Sequence, residues 1–169
     1  MTSLEKRRRT PPNLKSIPFD DSLANHVNAF YGISNDAVDE LCRLLSPTHY
    51  GGTFAAEDLP KKIKTPSNFI INIGGHFVTL VVQPKYCLYI DPFGLPCLNQ
   101  YLQKCIRLLD RALYYNQRQL QSPKSLYCGL YCILFTLYFD KARKNKLTFH
   151  RKKLLANDRR CLYYIREMV

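Results

Sequence analysis

Four residues of this chain carry side chains that can share a single reaction: His76, Asp91, Gln121 and Cys128. A thiol beside an imidazole is a nucleophile beside its base. A carboxylate on the far side of the ring fixes the tautomer and stabilises the imidazolium. A side-chain amide can donate to the oxyanion of a tetrahedral intermediate. Together these are the parts of thiol-dependent acyl transfer. Each part alone also has a plainer structural role. A cysteine heading an apolar helix serves as a small hydrophobe, a strand histidine as packing, and an aspartate before proline as a turn residue. The combination in one chain is what points to chemistry.

The elements around these residues decide whether they can meet. Phe69–Ile73, His76–Val82 and Tyr86–Ile90 are apolar, β-branched runs separated by Gly74-Gly75 and Gln83-Pro84-Lys85, and they predict a β-meander. With Gln83-Pro84 as a two-residue turn, His76 falls directly opposite Asp91, their Cβ atoms roughly 4.5–5.5 Å apart on one face. A slip of one residue would separate them. Residues 127–141 leave no polar face and predict a buried helix. Cys128 heads it, where free backbone N–H groups and the helix dipole favour a thiolate. Gly129 leaves room for a substrate backbone. Gln121 lies seven residues before Cys128, ahead of a loop containing Pro123, where its amide can join the Cys128 N–H as oxyanion donor.

The flanking segments complete an α+β pattern, strands grouped apart from helices. Ser34-Asn35-Asp36 offers an N-cap to a helix with Val38, Leu41, Cys42 and Leu45 on one stripe, ended by Pro47. Tyr50–Phe54 reads as a loop in which Gly51 and Gly52 permit close approach of another chain. A stripe from Leu98 to Leu113 predicts the next helix, Arg118–Gln121 a short strand, and Asn157-Asp158 the cap of a short last helix through Tyr163 and Ile165.

The chain has 169 residues, 46% of them hydrophobic and 22% charged, which suits one domain over 19–169 behind a basic, proline-containing tail over 1–18. That composition excludes wholesale disorder, collagen, coiled coil and solenoid repeats. No apolar run is long enough for a membrane helix, and none follows the basic start as a secretory signal would require. Twenty-five Lys and Arg oppose 13 Asp and Glu, a net charge of +12, so a polyanion is the expected partner. Lys6, Arg7, Arg8 and Arg9 in the tail, and Arg143, Lys144, Arg151, Lys152 and Lys153 near the C-terminus, are the candidate nucleic-acid contacts. Seven cysteines without a signal peptide read as thiols of a reducing compartment. Their spacings match no zinc pattern, so no metal is expected.

Gly75-His76-Phe77, Tyr89-Ile90-Asp91-Pro92-Phe93-Gly94, Gln121 and Cys128-Gly129-Leu130-Tyr131-Cys132, in that order, resemble the adenovirus protease (adenain) family, within the wider clan of ubiquitin-like-protein proteases. Gly51-Gly52-Thr53-Phe54 fits the loop before the first strand of such enzymes, and the resemblance spans about residues 50–140. It implies a papain-like cysteine protease fold in permuted His-Asp-Gln-Cys order: an antiparallel sheet packed on a buried helix carrying the nucleophile. His76 would be general base, Asp91 its orienter, Gln121 the oxyanion donor and Cys128 the nucleophile. Gly51, Gly52, Gly75 and Gly129 would line the substrate path. Phe77 stands where many relatives have Trp, and the resemblance gives it the stacking role. A Gln-to-Cys gap of seven, with Tyr127 before the cysteine, tilts toward the adenoviral branch. The implied activity is a monomeric viral, or virus-like, endopeptidase. It would cut glycine-rich sites in precursor and capsid proteins during virion maturation, in the host nucleus and the virion. It needs no cofactor beyond activation by DNA or a viral peptide. The family's activating disulfide is not carried over, because no cysteine lies between Cys105 and Cys128.

Two other readings compete. One is a deubiquitinase or deSUMOylase, which must also hold a folded ubiquitin-like body. The other is a basic nucleic-acid-binding protein whose thiol site is vestigial, in which Cys128→Ala leaves binding untouched.

Overall fold

A computed structural model describes residues 34–45, 47–140 and 147–168. The tail over 1–18, with Lys6, Arg7, Arg8 and Arg9, lies outside the described residues, as do Arg143 and Lys144.

The described chain runs α1 (Asn35–Leu45), β1 (Tyr50–Ala55), a 3-10 turn (Ala56–Asp58), β2 (Ser67–Asn72), β3 (Phe77–Val82), β4 (Tyr86–Ile90), α2 (Gln100–Leu108), β5 (Ala112–Tyr115), α3 (Cys128–Asp140) and α4 (Leu154–Met168). It is an α+β fold around one five-stranded sheet in the order β1-β2-β3-β4-β5. The sheet is mixed, not antiparallel as expected. β2-β3-β4 is an antiparallel meander, but β1 pairs parallel with β2 and β5 parallel with β4. Parallel neighbours need crossover connections. The segment 56–66 supplies one and α2 the other.

Side chains alternate across the central strands. Phe77, Val81, Leu88 and Ile90 enter one core with α1, α3 and α4. Val78, Leu80, Val82, Cys87 and Tyr89 enter a second core with Leu102 and Ile106 of α2. Both faces of the sheet are covered, which is why its strands read as unbroken apolar runs. α3 packs on β2 and β3 and is buried from Leu130 to Leu137. The uniform hydrophobicity of that segment is therefore what its position requires.

Four local expectations change. Tyr50–Phe54 is strand β1, bulged at Gly51 where Tyr50 and Gly52 pair with the adjacent residues Asn68 and Phe69. A Cβ on Gly51 would lie 2.4 Å from the Phe69 ring, so the glycine is required by packing within the sheet. The helix after Leu98 ends at Leu108, where Asp110 takes a positive φ of 48°. Ala112–Tyr115 is then an exposed edge strand, and Arg118–Gln121 is loop. The last helix starts at Leu154, so Asn157 and Asp158 sit inside it, buried, instead of capping it.

Candidate active site

The sharp turns on either side of the β3–β4 hairpin place the imidazole and the carboxylate. Gly74 and Gly75 have φ of +97° and +80°, and the Ile73 N–H donates to the His76 carbonyl at 2.8 Å. Positive φ at both central residues is what a tight two-residue hairpin turn of type I′ demands. Asn72 Oδ1 accepts from the N–H groups of Gly74 and Gly75 at 3.0 and 2.9 Å, which fixes the turn. His76 leaves this turn at the head of β3.

β4 ends at Ile90 and the chain reverses through Asp91-Pro92-Phe93-Gly94. The Gly94 N–H donates to the Asp91 carbonyl at 2.8 Å, and the Phe93 N–H to Asp91 Oδ1 at 2.7 Å. Gly94 has φ of +71° and lies so close to the next segment that a Cβ would be 2.6 Å from the Arg118 carbonyl carbon. The Leu120 and Gln121 N–H groups donate to the Pro92 carbonyl at 2.8 and 3.0 Å. The turn that carries Asp91 is thus the seat of the loop that carries Gln121.

His76 Nε2 lies 2.7 Å from Asp91 Oδ1. The side chains are 18% and 2% exposed, so this pair is shielded from bulk water. An ionised carboxylate only accepts, so Nε2 carries the hydrogen. That leaves Nδ1 as the nitrogen for a second partner. The pairing arises by a different register from the expected one. The turn residues are Pro84 and Lys85, since Gln83 N–H donates to the Tyr86 carbonyl at 2.9 Å and Val82 pairs with Cys87. Extended outward, this register sets Phe93, not Asp91, opposite His76. A shift of two residues keeps the face, so Asp91 reaches the ring diagonally. Phe93 stacks on His76 at 4.7 Å between centroids and 18° between planes. The stacking aromatic is therefore Phe93; Phe77 packs into the core shared with α3.

Cys128 is the first residue of α3, with partial exposure. The first bond back along the helix runs from Tyr131 N–H to the Tyr127 carbonyl at 3.0 Å. The N–H groups of Cys128, Gly129 and Leu130 therefore have no intrahelical acceptor. Burial of the His76 ring acts to lower its pKa. Hydrogen bonds with Asp91 and with the Cys128 side chain, and their charges, act the other way and prevail, leaving it raised to about 9. The thiol thus neighbours an imidazole that tends to be protonated. Burial pushes the Cys42 thiol up to about 12, Cys132 and Cys161 well above the ordinary range, and Cys87 and Cys97 upward.

Gln121 is 1% exposed, and its Nε2 donates to the Ser125 carbonyl at 2.9 Å. One hydrogen is used there, and an amide nitrogen has two. The other sequence candidates are dispersed. Gly75 is exposed in the turn before His76 and Gly129 is buried beside Cys128. Gly51 and Gly52 lie in β1, where Gly52 has φ of +127° and faces the Phe54 ring. Arg151, Lys152 and Lys153 are exposed just ahead of α4. No group of metal-ligating side chains occurs among the described residues, and no helix among them is long and apolar enough to cross a membrane.

Three residues that sequence reasoning missed hold the site. Asn116 bonds the backbone of Asp91 on both sides. Asn157 and Asp158 bond the loop that carries Gln121. Nothing in the residues around Asn116 marks it out. Asn157-Asp158 did stand out as a polar pair ahead of apolar residues, but suggested a cap. A scan against protein-family models and a search of curated proteins give no match to this chain.

Proposed function

We propose that this protein is a cysteine endopeptidase in which Cys128 attacks a peptide carbonyl and His76, oriented by Asp91, manages the protons. The observation that carries the reading is the 2.7 Å His76–Asp91 bond on a ring that also interacts with Cys128 at a helix N-terminus. Cys128 Sγ adds to the scissile carbonyl, and the oxyanion accepts hydrogen bonds from the Cys128 N–H and the second Gln121 N–H. Collapse breaks the C–N bond as the imidazolium delivers its proton to the leaving amine. The resulting thioester is cleaved by water, with His76 taking the proton, and the thiol is regenerated.

The motif resemblance to adenain-like proteases extends the proposal to a permuted papain-like enzyme from a virus or virus-like element. It would cut glycine-rich sites in precursor polypeptides during virion maturation, in the host nucleus and the virion. The net charge of +12 supports stimulation by nucleic acid.

The test alkylates native protein with iodoacetamide from pH 5 to 9 and reads all seven cysteines by peptide mass spectrometry, with His76→Ala in parallel. Cys128 is expected to react alone at pH 6 and to lose that reactivity in His76→Ala. Reactivity no greater than that of a free thiol, with and without added DNA, overturns the proposal. Wild type and Cys128→Ala are then compared on a glycine-rich peptide and on a ubiquitin-like conjugate. Cleavage confined to the conjugate would favour the deconjugating reading.

A further inference from the structure

The loop from Leu120 to Ser125 is held from two sides. Its front is bonded to the Pro92 carbonyl in the turn that carries Asp91. Its back rests on two adjacent side chains of α4. Asn157 Nδ2 donates to the Leu120 carbonyl at 3.0 Å and to the His150 carbonyl at 2.9 Å, while its Oδ1 accepts from the His150 N–H at 2.6 Å. Asp158 Oδ1 accepts from the Ser122 N–H at 3.3 Å and from the Tyr131 hydroxyl at 3.0 Å, and the Ser125 hydroxyl in turn donates to the Ser122 carbonyl at 3.2 Å. Tyr131 Oη lies 3.3 Å from the Leu120 carbonyl as well, so α3 joins the same junction.

Asp158 is 3% exposed, and among the described residues no cation pairs with it. Its Oδ2 has no hydrogen-bond partner there. Burying a carboxylate without a counter-charge costs stability that an apolar residue of similar size would not. What the carboxylate does in exchange is hold Ser122 and Tyr131 in one arrangement, the first directly after Gln121 and the second three residues past Cys128.

We propose that Asp158, with Asn157 beside it, is a positioning residue for the hydrolysis, clamping the Leu120–Ser125 loop so that the Gln121 amide and the Cys128 backbone N–H form a fixed pair of oxyanion donors. This rests on the endopeptidase reading and deepens it. Asp158 touches no reacting atom and acts through the loop.

The experiment compares wild type, Asp158→Ala, Asp158→Asn and Tyr131→Phe on a cleavable peptide, on a peptide aldehyde and with iodoacetamide. Asp158→Ala is expected to lose about 10- to 100-fold in kcat with KM within about twofold, the signature of a lost transition-state contact. Affinity for the aldehyde, whose thiol adduct carries the same oxyanion, falls in step with kcat. Alkylation of Cys128 by iodoacetamide needs no oxyanion donor, so its pH profile stays unchanged. Asp158→Asn keeps Oδ1 as acceptor and stays within about threefold of wild type in kcat, because the bonds and not the charge are what matter. Tyr131→Phe lies between the two.

An unchanged kcat in Asp158→Ala and Tyr131→Phe overturns the proposal. So does a parallel fall of kcat, alkylation rate and melting temperature, which marks a role in stability alone, or failure of asparagine to rescue. Should Asp158→Ala not fold, Tyr131→Phe carries the same readouts. If wild type cleaves no peptide, the endopeptidase reading fails separately. The clamp is then read by amide hydrogen exchange: faster exchange confined to 120–128 in Asp158→Ala supports it, and unchanged exchange there overturns it.

Discussion

Asn116 grips the backbone of Asp91 from both sides, its Oδ1 accepting from the Asp91 N–H at 2.9 Å and its Nδ2 donating to the Asp91 carbonyl at 2.7 Å. The same Nδ2 lies 3.1 Å from the Arg118 carbonyl. One amide thus joins the carboxylate's own residue to the approach of the Gln121 loop. Asn116→Ala leaves the Asp91 N–H without its partner, while the Asp91 carbonyl keeps the Gly94 N–H, and the orphaned donor costs about 1–3 kcal/mol. We expect a lower denaturation midpoint and a fall of about tenfold in kcat/KM from loosened orientation of His76, read by urea unfolding and peptide hydrolysis.

Asp91→Asn should cost less activity than His76→Ala. The carboxamide oxygen of that variant can still accept from His76 Nε2 and the Phe93 N–H, so orientation is weakened while the base remains. We expect losses of about 10- to 100-fold against about 10³-fold or more. The reverse ranking in kcat would mean that the pairing is misassigned.

His76 also makes stability depend on pH. Its folded pKa, about 9, stands above the ordinary 6.5. The protonated ring is favoured by folding, so this contribution is complete below about pH 6.5 and disappears as pH rises through 9. Wild type should lose on the order of 1–3 kcal/mol across that window relative to His76→Ala. Denaturant melts at pH 6 and pH 9.5 measure the difference, and equal slopes for the two proteins would contradict it.

Gly94→Ala should be among the most damaging single-methyl changes. The new Cβ would sit 2.6–2.9 Å from the Arg118 and Gln119 backbone, at a φ of +71°. Strain and displacement together predict a loss of roughly 2–4 kcal/mol. Because the clash separates the Asp91 turn from the Gln121 loop, activity at a temperature where the variant is still folded should fall too.

Arg151, Lys152 and Lys153 are exposed together. If they meet nucleic-acid phosphates, replacing all three by alanine lowers the slope of log K against log salt by up to about 2–3. Titrations of labelled duplex DNA at several salt concentrations give that slope. An unchanged value would place the polyanion contacts elsewhere.

Much of the site was readable because its geometry depends on parity and punctuation. The hairpin register differs from the expected one, yet a two-residue shift preserves the face, so His76 and Asp91 still meet. Cys128 at the head of a segment without a polar face could hardly be placed otherwise. The outer strands were obscure for opposite reasons. Gly51 and Gly52 mask β1 as a loop, and the exposed, apolar Ala112–Tyr115 continues the stripe of the preceding helix. Parallel pairing leaves no local turn to read. Asn116, Asn157 and Asp158 act over 25 to 37 positions of sequence, a range at which only the folded chain shows who their partners are.

The division of the site between a meander and a helix also dates its appearance during synthesis. His76 and Asp91 belong to neighbouring turns of β2-β3-β4 and can meet as soon as that sheet forms. Cys128 joins them only when α3 lies across β2 and β3, a contact that closes a longer loop. Until then the nascent chain carries an ordinary thiol and an idle imidazole. A fragment that ends before α3 therefore lacks the assembled pair, and whatever reactivity the thiol gains from the imidazole arrives only once α3 has docked on the sheet.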